Sequence, residues 1–240
     1  GVYKGLLSHL IKKTFSKFDF IFARNVIAHL NDPNKVFSGI ENLLKENGVF
    51  ILEVPHLLNI LKENQYDNIF HEHIGFHSLR SIKDLCEQHN LRVFDVKRID
   101  SQGGSLRCFI CKKKSRRVIS KKTKKILSIE KKLRLFSKKN LEKFNLKIKK
   151  HSKKMYQLIY NLKKKKNKIS IYGASGKGQA LMQFAKIDNK LIDYVFDKSK
   201  LKQGRFTPGT NIKIVDPKYI SRKNVDYLII LSWNIKDEII

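Results

Sequence analysis

Acidic residues are scarce in this chain. It has 21 Asp and Glu against 51 Lys and Arg in 240 residues, a formal net charge of +30. Cysteine is scarce too: Cys86, Cys108 and Cys111 form an odd, unpatterned set. That excludes a disulfide framework, and the lone Cys108-x-x-Cys111 lacks the second pair that a zinc site of this kind needs. The thiols fit a reducing environment as small core residues, so a cytoplasmic location is expected. There is no run of about 18 apolar residues, so no membrane-spanning helix is expected, and no signal-peptide pattern is visible. Arginine is also rare, with 10 among the 51 basic residues. Since Arg is the side chain suited to bidentate phosphate and base contacts, the +30 reads first as a lysine-rich composition bias and nucleic acid is not the expected partner. The charge is also localised. Residues 112–168 hold 25 basic side chains against Glu130 and Glu142, so 23 of the 30 net charges lie there. A basic nucleic-acid-binding module remains the alternative that this segment motivates.

The densest chemistry lies in Tyr66-Asp67-Asn68-Ile69-Phe70-His71-Glu72-His73-Ile74-Gly75-Phe76-His77. Three of eight histidines fall in seven residues, with a carboxylate between two of them. Imidazole titrates near neutral pH and a carboxylate can orient it, so the cluster suits proton transfer. A solvated His-rich loop is the plain alternative. Zinc on His71, His73 and His77 is another, weakened by the lack of an HExxH pattern or a nearby Cys pair.

In order, Leu6, Leu7, Leu10 and Ile11 have helical spacing. Phe18–Ala23 reads as a short, buried parallel strand. Asp32-Pro33 starts a helix with the stripe Val36, Phe37, Ile40, Leu43 and Leu44, ending at Asn47-Gly48. Val49–Pro55 is a second strand, and a long loop carries the His cluster. Ser78 caps a helix with the face Leu79, Ile82, Leu85 and Cys86. Leu91–Val96 and Ser105–Cys111 are strands joined through Gly103-Gly104, a connection too short for a crossover, so the two are antiparallel neighbours. Residues 112–167 form a bridge of two helices, basic outside and apolar inside, with Ile126, Ile129, Leu133, Phe136, Phe144, Ile148, Met155, Leu158, Ile159 and Leu162 turned inward. Lys168–Tyr172 opens a second α/β unit. It runs into Gly173-Ala174-Ser175-Gly176-Lys177-Gly178 and then a helix, followed by strands at Leu191–Asp197 and Asp226–Asn234. A glycine turn at a helix start presents free N–H groups to an anion. The loop meets neither the Walker A nor the G-x-G-x-x-G pattern, and its glycines can equally serve tight packing.

Several phrases occur together and in order: Asn25-Val26-Ile27-Ala28-His29, Glu53-Val54-Pro55, Tyr66-Asp67-x-Ile69-x-His71-Glu72-His73, Gly103-Gly104-Ser105-Leu106-Arg107, Tyr172–Gly178, Lys202-Gln203-Gly204-Arg205-x-x-Pro208-Gly209-Thr210 and Trp233-Asn234. As an ordered set they resemble the bacterial S-adenosylmethionine (SAM)-dependent C-methyltransferases that act on nucleotide-linked keto-deoxysugars. The resemblance implies an α/β protein in three parts. Residues 1–111 would be the C-terminal half of a class I methyltransferase Rossmann fold, 112–167 the helical bridge, and 168–240 a second Rossmann-like domain that binds the nucleotide sugar. A zinc domain and the SAM glycine loop would lie upstream, consistent with a chain that starts at Gly1. Zinc is expected in that domain alone, and the present chain by itself is expected to be inactive.

The reaction implied is methylation at C3 of a dTDP-linked 4-keto-deoxysugar through an enolate. The match makes His73 the base, with Glu72 beside it to orient or polarise the site, and aligns His29 with another catalytic histidine. It places Arg24 and Asn25 with SAM, and Phe70, Ser175, Lys177, Gly178, Arg205, Trp233 and Asn234 with the sugar nucleotide. Phe70 departs from the family pattern, which has Tyr before His-Glu-His. A non-catalytic nucleotide-sugar-binding protein is the alternative that this departure motivates.

Overall fold

The computed structural model describes residues 17–240, so the helical spacing at Leu6–Ile11 lies outside the described residues. The described residues gather into two compact units: residues 17–63 with 71–141, and residues 64–70 with 142–240.

In unit 1, β1 (Phe18–Arg24), β2 (Leu44–Pro55), β3 (Leu91–Ile99) and β4 (Ser105–Lys112) form one sheet in the order β1-β2-β4-β3. β1 and β2 are parallel, and β4 runs antiparallel to both β2 and β3. The last strand is therefore inserted antiparallel between two that run the other way, as expected for the second half of a methyltransferase Rossmann sheet. Gly104 makes the β3–β4 turn possible. Its φ is +105°, and a Cβ there would lie 2.0 Å from Nδ2 of Asn59.

The helices α1 (Pro33–Leu43) and α3 (Leu79–Gln88) start on capped ends. Asp32 Oδ1 accepts from Asn34 N, while Ser78 and Ser81 exchange side-chain and backbone bonds. They cover one face of the sheet, where Phe37, Ile40, Ile82 and Cys86 pack against Phe50, Leu52, Cys108 and Ile110. Burying each large apolar side chain contributes about 1.5–3 kcal/mol. The helix expected to run to Asn47 stops at Leu43, because Leu44 already pairs with Phe18 of β1. A short helix, α2 (Leu57–Lys62), and a 3₁₀ turn (Tyr66–Asn68) occupy the stretch read as loop.

Burial of β1 is the clearest departure from expectation. Phe18, Phe20 and Phe22 are 44%, 62% and 70% exposed. Strand alternation turns Ile21 and Ala23 toward the helix-covered core and the three phenylalanines to the opposite face. Among the described residues β1 pairs with β2 alone.

The lysine-rich stretch does form two helices, α4 (Lys121–Leu133) and α5 (Lys138–Lys164); α4 lies in unit 1, and the boundary between the units falls within α5. Ile126 joins the unit 1 core, whereas Phe144, Ile148 and Ile159 lie in unit 2. Leu133, Phe136 and Leu158, expected inside, are exposed; the turn at Arg134, which has a left-handed φ of 47°, buries Leu135 instead.

Unit 2 contains β5 (Ile169–Tyr172), α6 (Gly176–Phe184), β6 (Tyr194–Phe196), β7 (Ile214–Val215), β8 (Tyr227–Ile230) and a terminal turn of helix, α7 (Lys236–Ile239). The order β7-β6-β5-β8 is parallel throughout. Such a sheet places its loops, and its chemistry, at the carboxyl ends of its strands. Asp193 joins α5 to this sheet, accepting from Lys163 Nζ at 2.7 Å and from Ile169 N at 2.9 Å.

Candidate active site

At the carboxyl end of β1, Arg24, Glu53 of β2 and Arg107 of β4 sit side by side across the sheet. Glu53 is 4% exposed, and both of its oxygens are engaged: Oε1 accepts from Arg24 Nε at 3.1 Å, and Oε2 from Arg107 Nε and Nη2 at 3.2 and 3.0 Å. Two guanidiniums neutralise one buried carboxylate, which makes its burial tolerable. Asn25 follows at φ 51° and donates its N–H to Glu53 O. Its Oδ1 is buried with no hydrogen-bond partner.

The chain then makes the 3₁₀ turn Ile27–His29, and Ala28 O accepts from Ile74 N at 2.8 Å and Gly75 N at 3.0 Å. Those two bonds bring His73 to His29, with ring centroids 4.9 Å apart at 63°. Phe76 lies edge-on to His73 at 6.4 Å. Two adjacent imidazoles can supply a proton acceptor and a donor at one point. Glu72 is exposed, and its carboxylate lies 3.9 Å from His71 Nε2. His77 is different in kind: burial pushes its imidazole below the ordinary 6.5, against the opposing effect of a backbone bond to Ile27.

The remaining sequence-derived positions lie in unit 2. Gly173, at φ +95°, lets the end of β5 pass Ser232, whose Oγ would be 2.9 Å from a Cβ. Ser175 is the N-cap of α6, and its Oγ accepts from Gly178 N at 3.1 Å. Gly178 N–H is thus already committed to the cap, unlike the free donor expected there. Ala174 N donates to Asp197 Oδ2 at 2.8 Å, and Lys202 Nζ reaches the same oxygen at 3.1 Å. Burial alone would raise the Asp197 carboxyl; the N–H groups of Ser199 and Ala174, together with Lys202, hold it below its ordinary value.

Lys177 has a buried ammonium without a hydrogen-bond partner. Burial lowers its pKa and the charge of Asp67 opposes the fall. Asp67, 2% exposed, accepts from Trp233 Nε1 at 2.9 Å. Phe70 lies within van der Waals reach of Gly176. Tyr66 Oη lies 3.0 Å from His151 Nδ1, and burial, with Asp67 adding to it, pushes its phenol up to about 12. Phe70, Lys177 and Trp233 therefore gather around Asp67 and the start of α6, while Arg205 and Asn234 are exposed. Sequence reasoning did not single out Glu53, Arg107 or Asp67 as site residues, although each lies inside a quoted phrase. It also treated 66–77 as one stretch. The structure groups Tyr66–Phe70 with unit 2 and His71–His77 with unit 1.

Among the described residues, no group of three or more His, Cys, Asp or Glu is arranged to hold a metal ion, and no helix is long and apolar enough to cross a membrane.

A family model described as "Methyltransferase domain" matches residues 4–96, and one described as "C-methyltransferase C-terminal domain" matches residues 100–240. C-methyltransferase NovU of Streptomyces niveus is 32% identical over 220 residues, covering 92% of this chain and 52% of NovU, so the chain spans about half the length of that relative. Two solved structures overlap it partially. LepI in complex with SAM gives a TM-score of 0.35 at 12% identity, over 40% of this chain and 27% of that one. Magnesium protoporphyrin IX methyltransferase from Synechocystis PCC 6803 with bound SAH gives 0.33 at 13%, over 42% and 48%. Likenesses of that size carry no argument. The C-terminal match, by contrast, takes in β4, both lysine-rich helices and the whole second sheet, more than half of the chain, which belongs to the C-methyltransferase C-terminal domain family.

Proposed function

We propose that the protein serves SAM-dependent C-methylation of a nucleotide-linked keto-deoxysugar, at the carbon beside the ketone. The observation that carries this reading is the His29–His73 pair, held at 4.9 Å on backbone bonds at the carboxyl end of a methyltransferase-type sheet. A proton on carbon next to a carbonyl needs a base that works near neutral pH and a donor for the oxygen that becomes negative. His73 takes the proton from C3, and the electron pair moves onto the 4-keto oxygen. The N–H of His29 supports that oxygen. SAM, when bound, supplies an electrophilic methyl group. Asn25 suits one edge of such a donor, because its buried Oδ1 has no partner within the chain. His73 keeps the proton until it passes to water.

Taken by itself, unit 2 suits a nucleotide at the start of α6. The unbonded ammonium of Lys177 and the first N–H groups of the helix favour a diphosphate there. Gly178 N contributes only through the Ser175 cap. Trp233 and Phe70 give apolar surface beside it. In a complete version of the protein, His73→Asn is expected to lower methyl transfer to a dTDP-4-keto-deoxysugar by about 10²–10⁴-fold while nucleotide binding persists. Turnover at the unmodified rate would remove His73 from the role of base.

A further inference from the structure

Residues 112–168 contain two acids, and their environments are opposite: Glu142 is exposed, whereas Glu130 is 4% exposed. A carboxylate buried on a lysine-rich helix is unfavourable unless its lone pairs are met. They are. Oε1 accepts from His56 Nε2 at 2.8 Å and from Leu79 N at 2.7 Å, and Oε2 accepts from Arg80 N at 2.9 Å. The two N–H groups are the first of α3, so the positive end of that helix adds to the attraction.

These partners are not arbitrary. His56 is where the chain leaves β2, and Leu79 is where it enters α3. Between them lies the excursion that carries His71-Glu72-His73. Its neck is closed by the bridge between His56 and His77, with Leu57 N donating to His77 O at 2.9 Å. The returning limb is tied in turn to the 3₁₀ turn: His77 bonds the Ile27 backbone, and Ile74 N and Gly75 N both donate to Ala28 O.

We infer that Glu130 is a positioning residue for the His29–His73 pair, a clamp on both ends of the excursion that carries His73. It gives α4 a part in the chemistry of unit 1 that its lysines do not have. The inference rests on the proton-transfer reading above, but its test does not.

That test is residue-resolved amide hydrogen exchange on the chain itself, together with the His Cε1–H resonances by NMR. Glu130→Gln keeps the side-chain shape but loses the charge and one acceptor oxygen, and Glu130→Ala removes the acceptors entirely. In both variants Ile74 and Gly75 amides are expected to exchange about 10-fold faster or more, with Leu52 in β2 unchanged. The ring-current shift that His29 and His73 impose on each other should be lost. If Leu79 and Arg80 alone speed up, Glu130 is only a helix cap and the clamp is overturned. Acceleration of all amides by one factor, Leu52 included, overturns it equally. Should the Ala variant fail to fold, the Gln variant decides. A negative exchange result sinks the clamp and leaves His73 as base, whereas retained turnover in His73→Asn sinks the base and leaves the clamp.

Discussion

Trp233 is the single tryptophan of the chain, and its indole donates to the buried carboxylate of Asp67. Tryptophan emission therefore reports on this contact without labelling. Asp67→Asn keeps an amide oxygen within reach but loses the charge. Hydrogen bonds to charged acceptors contribute about 1.5–3 kcal/mol net and neutral ones about 1 kcal/mol, so this change should cost unit 2 about 1 kcal/mol. Asp67→Ala leaves the indole N–H without its acceptor and removes the charge that opposes the fall of the Lys177 pKa. Trp233 is only half-buried, so water can recover part of the loss, and about 2–3 kcal/mol is expected. With a urea dependence of about 2 kcal/mol per molar, the midpoints followed by tryptophan emission should fall by about 0.5 M for Asn and at least 1 M for Ala. Far-UV circular dichroism averages over both units and should move less. An Ala variant whose emission maximum and urea midpoint both coincide with the parent's would refute the claim that Asp67 organises this site.

Stability should also depend on His77. Its native imidazole titrates below the 6.5 of a free one. Between those two values the unfolded state binds the extra proton, so stability present above about pH 6.5 declines as pH falls and levels off below the native pKa. His77→Gln should flatten that part of a thermal-melting profile, and an unchanged slope would count against a buried neutral imidazole. Burial pushes the thiols of Cys86 and Cys108 upward, and all three cysteines are buried. A thiol reagent such as DTNB should leave the native chain unmodified and titrate three groups after denaturation. Gly104→Ala must place a methyl where Asn59 Nδ2 now sits, at a φ that L-residues avoid. A loss of about 2–3 kcal/mol in unit 1 is expected, and a neutral change would show that the turn relaxes freely.

Much of the fold was legible because it is local. Apolar runs marked the main strands, Asp32 and Ser78 announced their helices, and the short Gly103-Gly104 connection required β3 and β4 to be antiparallel. The ordered motifs named His29 and His73 separately; that their rings meet is a tertiary fact, which rests on the backbone bonds to Ala28 O. The apolar character of Phe18, Phe20 and Phe22 could not report exposure, because hydropathy does not record which face a neighbouring layer covers. The same limit misplaced Leu133, Phe136 and Leu158 on helices rich in lysine.

The sequence by itself determined which segments become strands and helices and where several of them start, since each depends on neighbours within a few residues. Tertiary structure alone decided that Asp67 meets Trp233 across 166 positions, that Glu130 holds His56 and the start of α3, and that Gly178 N–H belongs to Ser175. The first two are polar contacts between distant segments, which leave no periodic trace in the chain. The cap at Ser175 is local, but whether its hydroxyl turns to the helix or to a ligand is set by the folded backbone.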